Sequence, residues 1–175
     1  MRYFFVADEH FGHANIIKYS NRPFTSVEHM DETLIENHNS VVGSGDVVIH
    51  GGDFSLIRGK ATVFKRYISR LVGKHVFLRG SHDVWLSGNM ASTRWEKRFG
   101  EHYIVVDHYS MRAWPRSHYN SWQLYGHSHG RLPPQGKQHD IGVDNNNFFP
   151  VSLEEVVEIM ATRPDNFNLV PQKKY

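Results

Sequence analysis

The chain has 175 residues, 39% of them hydrophobic and 22% charged, with a net charge of +2 when histidine is counted neutral; this is the size and composition of one ordinary globular domain with its own core. No apolar run approaches the roughly 20 residues of a membrane span, and Asp8 comes too early for a secretory leader, so a cytoplasmic protein acting away from membranes is expected. The absence of cysteine excludes disulfides, zinc fingers and iron–sulfur centres and leaves nitrogen and oxygen to hold any metal.

Residues 3–7 are a short apolar run ending at DEHFGH, the pattern of a buried central strand that feeds a loop. Thr25 and Glu28 make a T-x-x-E capping box, and Val27, Met30, Leu34, His38 and Val41 then recur at helical spacing. DVVIH at 46–50 is short and β-branched, a strand that stops at GGDF. Residues 61–71 read as a helix ended by Gly73, before a strand through 76–78 that runs out into RGSHD. This alternation implies a parallel sheet with right-handed crossovers and helices on its faces. Beyond about residue 101, EHYIVVDHYSM, SWQLYGHSHG and the stretch around DIGVD read as strands separated by turns, which predicts a second, more antiparallel sheet. SLEEVVEIMATR opens with a capping box at Ser152 and Glu155 and is expected to be helical, and residues 163–175 read as a loosely attached tail of the single domain 1–175.

Thirteen histidines stand out. Asp8 and His10 are two apart, as are His127 and His129, and in extended chain such pairs face one side and can aim at one point. Asp53, the pair His82 and Asp83, and His108 also follow expected strands. Strand ends in open α/β sheets collect ligands and catalytic groups, so one crevice can receive all of them as a metal site.

The order D-x-H at Asp8 and His10, G-D at Gly52 and Asp53, G-x-H-D at 80–83, His108, and G-H-x-H at 126–129 resembles the calcineurin-like metallophosphoesterase family over about residues 3–153. DEHFGHANII, LYGHSHG and GVDNNNFFPVSLEE are similar to its small bacterial and phage-type members, which lack a cap domain. The resemblance implies a four-layer α-β-β-α sandwich of two mixed sheets flanked by helices, with the site at one edge. It implies that Asp8, His10 and His129 bind one divalent ion, that Asp53 bridges to a second, and that His108 and His127 bind that second ion. Manganese is the expected metal, and iron, zinc, cobalt or nickel also suit such donors. The implied reaction is in-line attack on a phosphodiester or phosphomonoester by a water held between the ions, with His82 giving a proton to the leaving oxygen and Asp83 orienting its ring.

One position departs from the pattern. The family carries asparagine, a ligand of the second ion, where this chain has Ser81, whose hydroxyl is one bond shorter; a weakened second site is expected. His13 and Asn15 lie close enough in sequence to the first motif to contact a phosphate. Between Asp53 and Asp83 there is no acidic residue, while Arg58, Lys60, Lys65, Arg66, Arg70, Lys74 and Arg79 all fall there. That run is either a solvated face or a rim steering a polyanion, with Arg79 nearest the site. The substrate is therefore a phosphorylated small molecule or, in a nuclease or end-processing variant of the same reading, nucleic acid. A non-catalytic metal-binding scaffold is the third alternative.

Overall fold

The computed structural model describes residues 1–86 and 91–170. In chain order the elements are β1 (Tyr3–Val6), α1 (Ala14–Tyr19), α2 (Val27–Val41), β2 (Val47–His50), α3 (Lys60–Arg66), β3 (Lys74–Phe77), β4 (Arg94–Phe99), β5 (His102–Asp107), β6 (Trp122–Tyr125), β7 (Gln138–Asp140), β8 (Val151–Ser152) and α4 (Leu153–Thr162). They form two mixed four-stranded sheets flanked by helices, ordered β3-β2-β1-β8 and β4-β5-β6-β7.

Strand β1 shows why the sheets stack. Successive side chains point to opposite faces, so Phe4 and Val6 meet Met30, Leu34 and Ile35 of α2 and Val63 of α3, while Phe5 and the following Ala7 meet Ile104, Val106 and Leu124 of the second sheet. Both faces are dry, which suits a near-continuous apolar run in a central parallel strand. Each large side chain so buried is worth about 1.5–3 kcal/mol. Helix α4 carries the capping box expected at Ser152 and Glu155 and sends Val156 and Met160 into the core between the sheets.

Several expectations need correction. Helix α2 is capped one residue later than the Thr25/Glu28 box: Ser26 Oγ accepts from the His29 amide at 3.1 Å, and Thr25 Oγ1 instead faces His29 Nδ1 at 3.1 Å. The expected helix over 61–71 is α-helical only to Arg66, because Tyr67 leaves helical dihedrals and a 3₁₀ turn follows at Ile68–Arg70. Neither α1, too short for a periodic signal, nor β4 was expected; β4 alternates exposed Arg94, Glu96 and Arg98 with half-buried Trp95, Lys97 and Phe99, a charged edge strand. The second sheet is mixed, with only the β4–β5 pair antiparallel and β5–β6 and β6–β7 parallel. The long connections 108–121 and 126–137 give the chain room to cross over. The segment expected to be a loose tail is held at Asn166, whose buried amide donates to the Ser117 and Ser121 carbonyls at 2.9 Å each; residues 171–175 lie outside the described residues.

Because β1, β2, β3, β5 and β6 run in registers that end together, the loops at 7–13, 51–55, 78–83, 108–110 and 126–130 meet at one edge of the sandwich.

Candidate metal centre

The loops after β1 and β2 continue side by side, with Asp8 N donating to Gly52 O, His10 N to Asp53 O and Phe11 N to Phe54 O at 2.9–3.0 Å. The loop after β3 then approaches backbone to backbone. A Cβ on Gly80 would lie 2.2 Å from Asp53 Oδ1, and one on Gly52, where φ is +102°, would lie 2.8 Å from Gly80 Cα. Both positions therefore require glycine.

Two groups of side chains converge there: Asp8, His10 and His129 in one, and Asp53, His108 and His127 in the other, the ligand atoms of each group within 4.8 Å of one another. This is the grouping the family resemblance implies, but it is not reached by extended chain. Asp8, His10, Asp53, His127 and His129 all have φ between 47° and 67°, a left-handed backbone that costs roughly 1–3 kcal/mol per non-glycine residue and concentrates at functional sites. The extended-chain reading of the two D-x-H and H-x-H clamps is thus corrected, and the kink sends His127 and His129 to different groups. Asp53 Oδ2 lies 3.8 Å from His10 Nε2 and 3.3 Å from His108 Nε2, between the groups.

These groups fit divalent cations. Among the described residues, buried His10 Nε2 forms no hydrogen bond and buried His108 Nε2 has only Asp53 Oδ2 beside it, at 3.3 Å, a costly state for a nitrogen unless its lone pair has a partner. Burial pushes the Asp8 carboxyl up to about 7 even though the imidazoles of His129 and His108 pull it down, so its ionised form wants more positive charge than the protein supplies. Burial likewise pulls His10 down to about 2, leaving a neutral imidazole, the ligating form.

The other predicted residues divide. Ser81 Oγ donates to Asp53 Oδ2 at 2.9 Å, so its hydroxyl addresses the central carboxylate. His82 is exposed; its amide donates to Asp53 Oδ1 at 2.8 Å and its ring lies 5.3 Å from that of His10. Asp83 does not orient that ring. Its buried carboxylate accepts from the amides of Asp53, Phe54, Ser55 and Gly80 and from Trp85 Nε1 at 2.7–3.2 Å, binding the two loops together with no acceptor left over for His82. His13 is beside the site, its Nδ1 3.4 Å from His10 Nδ1 and its ring 5.9 Å from that of His82. Asn15 is exposed on α1 and Arg79 is exposed after β3, and among the described residues neither forms a side-chain hydrogen bond or ion pair with the groups.

Sequence reading missed the supports. Asp140 accepts from Ser128 Oγ (2.6 Å) and the amides of Gly130 (3.1 Å) and Gly142 (2.8 Å), shaping the GHSHG turn. Arg22 and Asp144, far apart in sequence, pair beneath the first group. Asp144 lies inside the family-like stretch GVDNNNFFPVSLEE, which was the one available signal; Arg22 carried none.

Two mixed sheets in an α/β sandwich thus carry D-x-H, G-D, G-x-H-D, H and G-H-x-H at their strand ends, with two Asp/His groups able to hold metal ions. Known proteins bear on this as follows. No family model matches the chain. The chain is 34% identical over 172 residues to MJ1445, an uncharacterized protein of Methanocaldococcus jannaschii, spanning 90% of each. It belongs to the same family as that archaeal protein. A protein of unknown function from Aquifex aeolicus, AQ665, shares the fold at a TM-score of 0.68 and 19% identity, over 90% of this chain and 98% of that one. A predicted phosphoesterase from Streptococcus pneumoniae superimposes more distantly, with a TM-score of 0.41 and 16% identity over 81% and 70% of the two chains.

Proposed function

We propose that the protein is a phosphoesterase that works with two divalent ions, manganese foremost, and hydrolyses phosphodiesters or phosphomonoesters. The observation that carries this is Asp53 Oδ2, a member of the second Asp/His group, lying 3.3 Å from His108 Nε2 of its own group and 3.8 Å from His10 Nε2 of the first. Asp8, His10 and His129 would hold one ion, His108 and His127 the other, with Asp53 shared. Ions held there would supply charge for the phosphoryl oxygens and would lower the pKa of a bound water. The chain supplies the rest: His82 at the exposed mouth donates a proton to the leaving oxygen, His13 faces the phosphate from the side of the first group, and Asp83 keeps the Asp53 and His82 loops in register. The test is hydrolysis of bis-p-nitrophenyl phosphate after chelation and manganese return. Restored turnover supports the reading, and metal uptake without any turnover on a panel of diesters and monoesters would move the scaffold reading to the front.

Ser81 bears on the second ion. Its hydroxyl donates to Asp53 Oδ2 and so competes with a cation for that oxygen. Ser81→Asn replaces the hydroxyl that bonds Asp53 Oδ2 and extends a carbonyl acceptor one bond further, which is expected to tighten the second manganese by roughly tenfold, the worth of about 1.4 kcal/mol. Calorimetric titration checks this, and two equally tight ions already present in the unaltered protein would contradict it.

A nucleic-acid substrate has one observation in its favour. Arg58, Lys60, Lys65, Arg66, Lys74 and Arg79 are exposed in a stretch without acidic residues, although Arg70 is engaged by Glu32. If they steer a polyanion, affinity for an oligonucleotide falls steeply with salt; no binding at low salt would remove this variant.

A further inference from the structure

The buried pair Arg22 and Asp144 does something the reaction scheme above does not ask of it. The guanidinium is wholly inside the protein, with Nε donating to Asp144 Oδ1 and Nη2 to Asp144 Oδ2 at 2.8 Å each. The same group donates from Nη2 to the Asp8 carbonyl at 2.6 Å and from Nη1 to the Glu9 carbonyl at 3.0 Å. Those carbonyls belong to the stretch in which Asp8 and His10 hold φ of 59° and 55°. Asp144 Oδ2 meanwhile accepts from His129 Nδ1 at 2.7 Å. A carboxylate can only accept, so a proton is on Nδ1, and in the neutral imidazole the lone pair is then on Nε2.

The geometry points to Arg22 and Asp144 as the positioning pair of the first metal group: Asp144 fixes the tautomer and aim of His129, and Arg22 locks Asp144 to the backbone that presents Asp8 and His10. The inference rests on the metal reading of that group. A buried guanidinium needs its bonds met wherever it is, and these two residues could have paired anywhere in the core. Here the bonds run instead to both sources of the first group, the loop after β1 and, through Asp144, the loop after β6. Partners that orient a ligating histidine in this way typically change metal affinity by 10–100-fold when removed.

The experiment compares His127→Ala with the double variant His127→Ala/Asp144→Asn, so that the second group is disabled in both, and follows Co²⁺ uptake by visible absorbance. The expected result is a 10–100-fold weaker affinity in the double variant at an unchanged far-UV spectrum. Equal affinities would overturn the positioning role alone, whereas no uptake by the unaltered protein would overturn the metal reading with it. Should the double variant fail to fold, long-range ¹⁵N–¹H correlation on the unaltered Zn²⁺-loaded protein decides: His129 protonated on Nδ1 and ligating through Nε2 is expected, and ligation through Nδ1 overturns the inference.

Discussion

Replacing His82 with glutamine is expected to lower turnover of an alkyl phosphodiester by roughly a hundred- to ten-thousand-fold, the usual worth of a positioned acid or base, with metal content unchanged. His82 is exposed at the mouth of the site, and its amide bond to Asp53 Oδ1 at 2.8 Å ties its backbone to the carboxylate between the two groups. Its ring neighbours are His10 at 5.3 Å and His13 at 5.9 Å, so it faces the site without belonging to either group. An alkoxide leaves poorly without a proton, and p-nitrophenolate leaves well without one. The loss should therefore be much smaller for bis-p-nitrophenyl phosphate than for the alkyl diester. An equal loss on both substrates would show that His82 binds the phosphate and does not donate a proton.

The candidate site was legible in the sequence as residue types and order, but not as backbone. Asp8, His10, His127 and His129 are recognisable because carboxylate and imidazole repeat at strand ends, yet extended chain does not deliver them, since the left-handed turns at these residues depend on hydrogen bonds from other loops. The role expected of Asp83 failed for the same reason: three of its five donors, the amides of Asp53, Phe54 and Ser55, come from a loop nearly 30 positions away, and no local pattern announces them. Local physics carried the fold further. The parallel part of the first sheet, β1 to β3, with α2 and α4, follows from apolar periodicity and caps, whereas β8, antiparallel to β1, had no strand signal, and the parallel order of the second sheet depends on the paths of 108–121 and 126–137, which composition does not encode. His38, His50 and His75 showed no informative spacing because β2, β3 and α2 bring them together only in the fold.

That histidine cluster carries the second large effect, a loss of stability in mild acid independent of metal. Burial pulls His38 and His50 down to about 3 and His75 to about 4, and pushes Glu9 up to about 8. All four are neutral together, which orders the hydrogen bonds: the Glu9 carboxyl O–H donates to His50 Nδ1 (2.5 Å), His50 Nε2 donates to His75 Nδ1 (3.0 Å), and His38 Nε2 donates to the Val72 carbonyl (2.8 Å). Unfolded histidines take up protons near pH 6.5 and these folded ones do not, so their contribution is complete above pH 6.5 and is lost as pH falls toward 4. Glu9 works the other way, its contribution complete below pH 4.5 and fading as pH rises through 8. Between pH 6.5 and 4.5 the unfolded chain thus gains up to three protons where the folded one keeps one extra, a net loss on the order of 2–3 kcal/mol per pH unit. His38→Gln retains a donor for the Val72 carbonyl and removes one titrating group. In urea titrations with chelator present, its stability is expected to fall less steeply than that of the unaltered protein between pH 6.5 and 5, by roughly 1 kcal/mol per pH unit. Because every other titrating group is common to both proteins, parallel slopes would mean that His38 takes up its proton as easily folded as unfolded.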